Sequence, residues 1–121
     1  MNNAFFFDGT DAVPLPPEEV RITDFHAEPY PEGQRVRVTL EMTPFQIRPW
    51  LEVAMVDSIG EEVATANIIE PLNYRIELTM HIRRADPAGK YKLVARLFYP
   101  EKVDNDRRET HFEVKASEDD R

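Results

Sequence analysis

Residues 34–43 read as a strand in which polar and apolar side chains alternate without a break from Arg35 to Thr43, and that alternation constrains the fold more than any other feature. Val36, Val38, Leu40 and Met42 fall on one side, and Arg35, Arg37, Thr39 and Glu41 on the other. Successive side chains of a strand point to opposite faces, so a period of two describes a strand half in a core and half in water. Residues 20–27, 50–57, 62–69, 73–83, 90–99 and 109–115 follow suit, giving seven predicted strands. Proline and turn residues separate them: Pro29 and Pro31, Pro44 and Pro49, Ser58-Ile59-Gly60, Pro71, and Asp86-Pro87-Ala88-Gly89. Residues 101–108 read as a polar loop. The expected inward sets include Leu51, Val53 and Met55, then Tyr74, Ile76, Leu78, Met80 and Ile82. Tyr91, Leu93, Ala95, Leu97 and Tyr99 follow, with Phe112 and Val114 last. No segment has a helical period. Strands with one apolar and one polar face belong to antiparallel sheets, so the fold class is an all-β, seven-stranded antiparallel two-sheet sandwich.

At 121 residues, with 41% hydrophobic and 31% charged residues, the chain suits a single domain with its own core. Residues 1–19 read as an extended N-terminal arm, kept free of ladder donors by Pro14, Pro16 and Pro17. Residues 20–115 form the sandwich and residues 116–121 an acidic tail. Phe5, Phe6 and Phe7 in the arm either pack on the domain's own surface, dock onto a partner chain, or stay unordered. There is no cysteine, which excludes disulfides and thiolate metal sites and fits a reducing interior. The first residues lack a basic region, and their apolar run is broken at Asp8 and Gly9. No run approaches a membrane span. A cytoplasmic protein is expected. The net charge of -8 disfavours nucleic-acid binding, which needs basic surface to displace counterions.

Asp86-Pro87-Ala88-Gly89-Lys90-Tyr91-Lys92-Leu93 resembles the Asp-x-Gly-x-Tyr-x-Cys pattern of immunoglobulin domains, with one extra residue before the glycine. The resemblance covers roughly residues 20–115. It implies that Tyr91 makes a tyrosine corner, its hydroxyl bonded back to the backbone. It also implies that Leu40 and Leu93 stand where the family has its two cysteines. Such leucines suit a fibronectin type III-like or bacterial immunoglobulin-like sandwich. The resemblance carries architecture and no particular function. Trp50 departs from the family pattern, which buries a tryptophan in the third strand. With Leu51, Val53 and Met55 inward, Trp50 turns outward beside Glu52, Ala54 and Val56. If Trp50 points inward, Glu52 enters the core unpaired, at a cost.

The residues offer little chemistry. His26, His81 and His111 occupy polar strand positions without metal-ligand spacing. Ser58 and Ser117 have no histidine nearby in sequence. Asp104-Asn105-Asp106 and the set Asp57, Glu61 and Glu62 could offer oxygens to calcium, yet neither matches an EF-hand, and turn chemistry accounts for both. No catalytic residue, metal or cofactor is expected, and an enzyme is the least favoured class.

One surface stands out. With the strands assigned in order as A, B, C, C′, E, F and G, the sheet holding C, F and G would carry Trp50, Glu52, Ala54 and Val56 outside. Beside them come Lys92, Val94, Arg96 and Phe98, then His111, Glu113 and Lys115. The other sheet's outer positions are far more polar. Trp50, Glu52, Val94, Arg96 and Phe98 are therefore the expected partner-binding residues, for a protein partner or a homodimer. The alternative is a carbohydrate-binding module that stacks sugars on Trp50, Tyr30 or Tyr99.

Overall fold

The computed structural model describes residues 13–101 and 104–116. Phe5, Phe6 and Phe7 lie outside the described residues, as do most of the arm and residues 117–121 of the tail. The strands are β1 (Ile22–Pro29), β2 (Arg35–Met42), β3 (Trp50–Asp57), β4 (Glu62–Ile69), β5 (Arg75–His81), β6 (Gly89–Phe98) and β7 (Asp106–Val114). A 3-10 turn, Pro17–Glu19, precedes them. They form two antiparallel sheets, one in the order β1-β2-β5 and the other β4-β3-β6-β7. This is the A-B-E and C′-C-F-G arrangement of an immunoglobulin-like sandwich. No helix among the described residues is long and apolar enough to cross a membrane.

The period-two pattern becomes the core. Val36, Val38, Leu40 and Met42 face Leu51, Val53, Met55, Leu93, Ala95 and Leu97 from opposite sheets, and all are buried. Leu40 and Leu93, at the places of the family's cysteines, have no solvent exposure. Apolar area removed from water supplies the cohesion that a disulfide would otherwise add. Tyr91 makes the tyrosine corner. Its hydroxyl donates to the carbonyl of Pro87 at 2.6 Å, and its ring stacks on Phe112 at 5.2 Å. Burial pushes the Tyr91 phenol above its ordinary pKa, so it stays protonated and able to donate.

Two polar ties lock the sheets together at opposite ends. Asp57 closes β3 and is buried, with its carboxylate accepting from the N–H groups of Ile59 (3.1 Å) and Glu61 (2.8 Å). Arg84, just after β5 of the other sheet, pairs with the same carboxylate. At the other end Asp106, opening β7, accepts the N–H of Ile22 on β1 at 2.9 Å. The side-chain amide of neighbouring Asn105 bonds the carbonyl of Pro17. Both acidic loops therefore serve as turn and seam chemistry.

Three strands depart from the sequence reading by two residues or more. Tyr74 is not an inward strand residue. It lies before β5, exposed on one side, with its ring edge-on to Phe45 at 5.0 Å. The chain is still crossing between sheets there, and pairing with β2 begins at Arg75 opposite Glu41. β7 starts at Asp106, inside the expected polar loop, because Asp106, Arg107 and Arg108 pair with Leu97, Arg96 and Ala95. β1 runs two residues later than expected and ends on Pro29, which an edge strand tolerates.

Candidate functional site: the outer face of the four-stranded sheet

Register decides which side chains share a face. Across the four-stranded sheet Trp50 lies between Ile69 of β4 and Phe98 of β6. One step along, Glu52 lies between Asn67 and Arg96, with Arg107 beyond. The next rank is Thr65, Ala54, Val94 and Glu109, and the last includes Val56, Lys92 and His111. Leu51, Val53 and Met55 are buried on the opposite side. Trp50 therefore points outward, and Glu52 stays out of the core.

The five expected partner-binding residues all lie on this face and are half-buried, and four of them form one cluster. The Trp50 and Phe98 rings sit 6.2 Å apart at 51°. The Arg96 guanidinium lies over the Phe98 ring, 4.2 Å from its centroid. Arg96 also reaches Asp104 at 2.6 Å and Glu52 at 3.0 Å. Those two carboxylates, Asp104 foremost, raise its pKa further above an already high ordinary value. An arginine balanced by two carboxylates offers little to a free anion. Its work here is to hold the aromatic pair in place, as a cation over a ring does. Val94 stands apart from this cluster, two residues down β6 beside Ala54.

Sequence reasoning missed Ile69. It is 56% exposed and stands directly across from Trp50. Only the β3–β4 register reveals that adjacency, although alternation along β4 does place Ile69 outward. Val13, Ile47, Leu72 and Tyr74 are also exposed, and their segments all meet this end of the sandwich. Of the exposed large hydrophobic residues among those described, Ile59 alone sits at the opposite end. The apolar character thus concentrates at the Trp50 end.

The aromatic residues considered for sugar stacking do not converge. Tyr99 is buried, and its hydroxyl donates to the carbonyl of Ile47 at 2.7 Å. Tyr30 lies at the end away from Trp50, where Arg35 and Arg37 cover its ring at 4.2 and 5.7 Å. Hydrogen bonds with Thr79 and Arg37 lower the pKa of its phenol. A cleft of about 1000 Å³ at that end is lined by Tyr30, Pro31, Gly33, Pro87, Glu113 and Val114, among others, with Tyr30 its one aromatic ring among the described residues. The three histidines are exposed strand residues. Among the described residues, no group of three or more His, Asp and Glu side chains is placed to hold a metal.

Neither a family model nor a curated protein matches the chain. Solved structures do resemble it. A glycosyl hydrolase family 2 member from Bacteroides cellulosilyticus aligns over 78% of this chain with a TM-score of 0.59 and 14% identity. The β-glucuronidase of Lactobacillus rhamnosus aligns over 79% with a TM-score of 0.52 and 18% identity. That of Bifidobacterium dentium, solved with coumarin-3-O-glucuronide, aligns over 78% with a TM-score of 0.55 and 12% identity. The chain spans only 15%, 16% and 18% of those three chains. At such identities the likeness shows the fold alone.

Proposed function

We propose that this chain is a non-catalytic interaction module that docks onto a protein through the outer face of its four-stranded sheet, at the Trp50 end. The observation that supports it most is the rank Ile69, Trp50 and Phe98, with Ile69 exposed, both rings half-buried and Arg96 over Phe98. Aromatic residues with a nearby arginine are typical of interface centres, and covering the exposed part of Ile69 alone is worth about 1 kcal/mol. The fold-likeness is consistent with this, since the sandwich occupies a minor part of much longer enzyme chains. In the same reading, this chain is an accessory sandwich rather than a catalytic body.

The test is a paired substitution, Trp50→Ser with Phe98→Ser, read by light-scattering mass and by partner capture. Both side chains lie outside the core, so the variant should stay folded. A lower mass, or loss of a stoichiometric partner that the wild-type chain retains, is the expected result. Unchanged mass together with unchanged capture would overturn the reading.

A further inference from the structure

Among the described residues, four strands form the edges of the two sheets: β1 and β5 of one, β4 and β7 of the other. An edge strand presents a row of backbone N–H and C=O groups with no neighbour. Charge, proline or a bulge along it keeps other chains from pairing there. β1 carries Asp24, His26, Glu28 and Pro29, and its register shifts between Ile22 and Asp24. β5 carries Arg75, Glu77 and His81. β7 carries charge at most of its positions, and its seam with β1 is closed by the bond from Ile22 to Asp106.

β4 is different. Residues 63–69 read Val-Ala-Thr-Ala-Asn-Ile-Ile, with no charge and no proline. A register shift marks the start of the strand, and from Ala64 to Ile69 it pairs regularly with β3. Among the described residues, the seam beside it is open. Ala64, Ala66 and Ile68 of β4 and Ile76 and Leu78 of β5 turn to the core but are only half-buried.

The charge lies at the ends of β4. Glu61 and Glu62 precede its neutral stretch and Glu70 follows it. A second copy of this chain paired antiparallel about Ala66 would set Glu62 against Glu70 twice, and like charges directly opposite are unfavourable. Glu70 is held in place by its backbone. Its φ of 53° lies in the left-handed region, which a residue preceding proline normally avoids, and its N–H donates to the carbonyl of Pro49 at 3.0 Å. A strained corner thus places the exposed Glu70 just past the end of an uncharged edge strand. We infer that the outer edge of β4 receives an extended strand from a partner protein, uncharged at its centre and basic at both ends. Main-chain hydrogen bonds would supply affinity, and the glutamates would select the partner and oppose self-pairing. This edge site goes beyond the contact through the Trp50 face and does not depend on it.

A peptide titration followed by amide shifts tests it. The probe is a synthetic nine-residue peptide of alternating valine and threonine flanked by lysine pairs, with a glutamate-flanked twin as control. Shifts should gather at residues 63–69, and the lysine-flanked peptide should bind about tenfold more tightly than its twin. Glu62→Lys with Glu70→Lys should reverse that preference, and Glu62→Lys alone should reduce it should the double variant fail to fold. Thr65→Lys, a charge on the solvent side of mid-strand, should abolish binding of the lysine-flanked peptide. Trp50→Ser with Phe98→Ser should leave it intact, which separates this site from the outer-face contact. Equal affinity for both peptides, shifts centred on β1, β5 or β7, or dimerisation through β4 without peptide would each overturn the proposal.

Discussion

The two sheets share one core but meet solvent differently. On the three-stranded sheet the outward ranks are Asp24, Glu41 and Arg75, then His26, Thr39 and Glu77, then Glu28, Arg37 and Thr79. None is apolar, and many are paired within the face. Arg75 bonds Glu41 at 3.1 Å and Glu77 at 2.8 Å, and His26 reaches Asp24 at 3.2 Å. Thr39, in the middle, is buried beneath its neighbours. The four-stranded sheet begins its outer face with Ile69, Trp50 and Phe98 and carries Ala54, Val56 and Val94 further along. Exposed ion pairs contribute little to stability, so the first face is finished by solvation. The second keeps apolar side chains on its outer face, and the proposed docking rests on them. The inside of a sandwich reports its fold, and a difference between its outsides reports where it can be touched.

If the interiors are equivalent, truncating one leucine from each sheet should cost the same. Leu40→Ala on β2 and Leu93→Ala on β6 should each lower stability by about 3 kcal/mol in denaturant unfolding. A loss under about 1 kcal/mol at either site would mean that the two sheets do not close on each other evenly. A smaller effect is expected where an ion pair ties the sheets together. Burial pushes the Asp57 carboxyl up, but the N–H of Glu61, the Arg84 guanidinium and the N–H of Ile59 outweigh it and hold its pKa below 3.8. A depressed folded-state pKa contributes stability that is complete above the ordinary value and lost as the pH falls through the folded one. Asp57→Asn should therefore destabilise the chain at neutral pH, with the gap to wild type closing only below about pH 4. A gap that stays constant into acid would remove the charged tie between the sheets.

Much of the fold was legible because alternation is local. Val36 to Met42 and Leu51 to Met55 name their own inward faces, and the turn before Tyr91 names its corner. The same logic only leaned toward an outward Trp50, from the cost of burying Glu52, and the strand register was needed to decide it. Where local signals ran on past a structural boundary they misled. Tyr74 continues the rhythm of β5 while the chain is still between sheets, and Asp106 to Arg108 pair at an edge whose polar residues look like a loop. Ile69 beside Trp50, Arg96 over Phe98 and the unguarded edge of β4 depend on which strands become neighbours, and no single segment encodes that.

Trp50 is the chain's only tryptophan, so its fluorescence reports directly on the surface that the account depends on. Acrylamide should quench its emission readily in the dilute isolated chain, and Phe98→Ser should increase that quenching by uncovering one side of the indole. A blue-shifted emission that acrylamide barely reaches and that Phe98→Ser does not change would place Trp50 in the core and contradict the account.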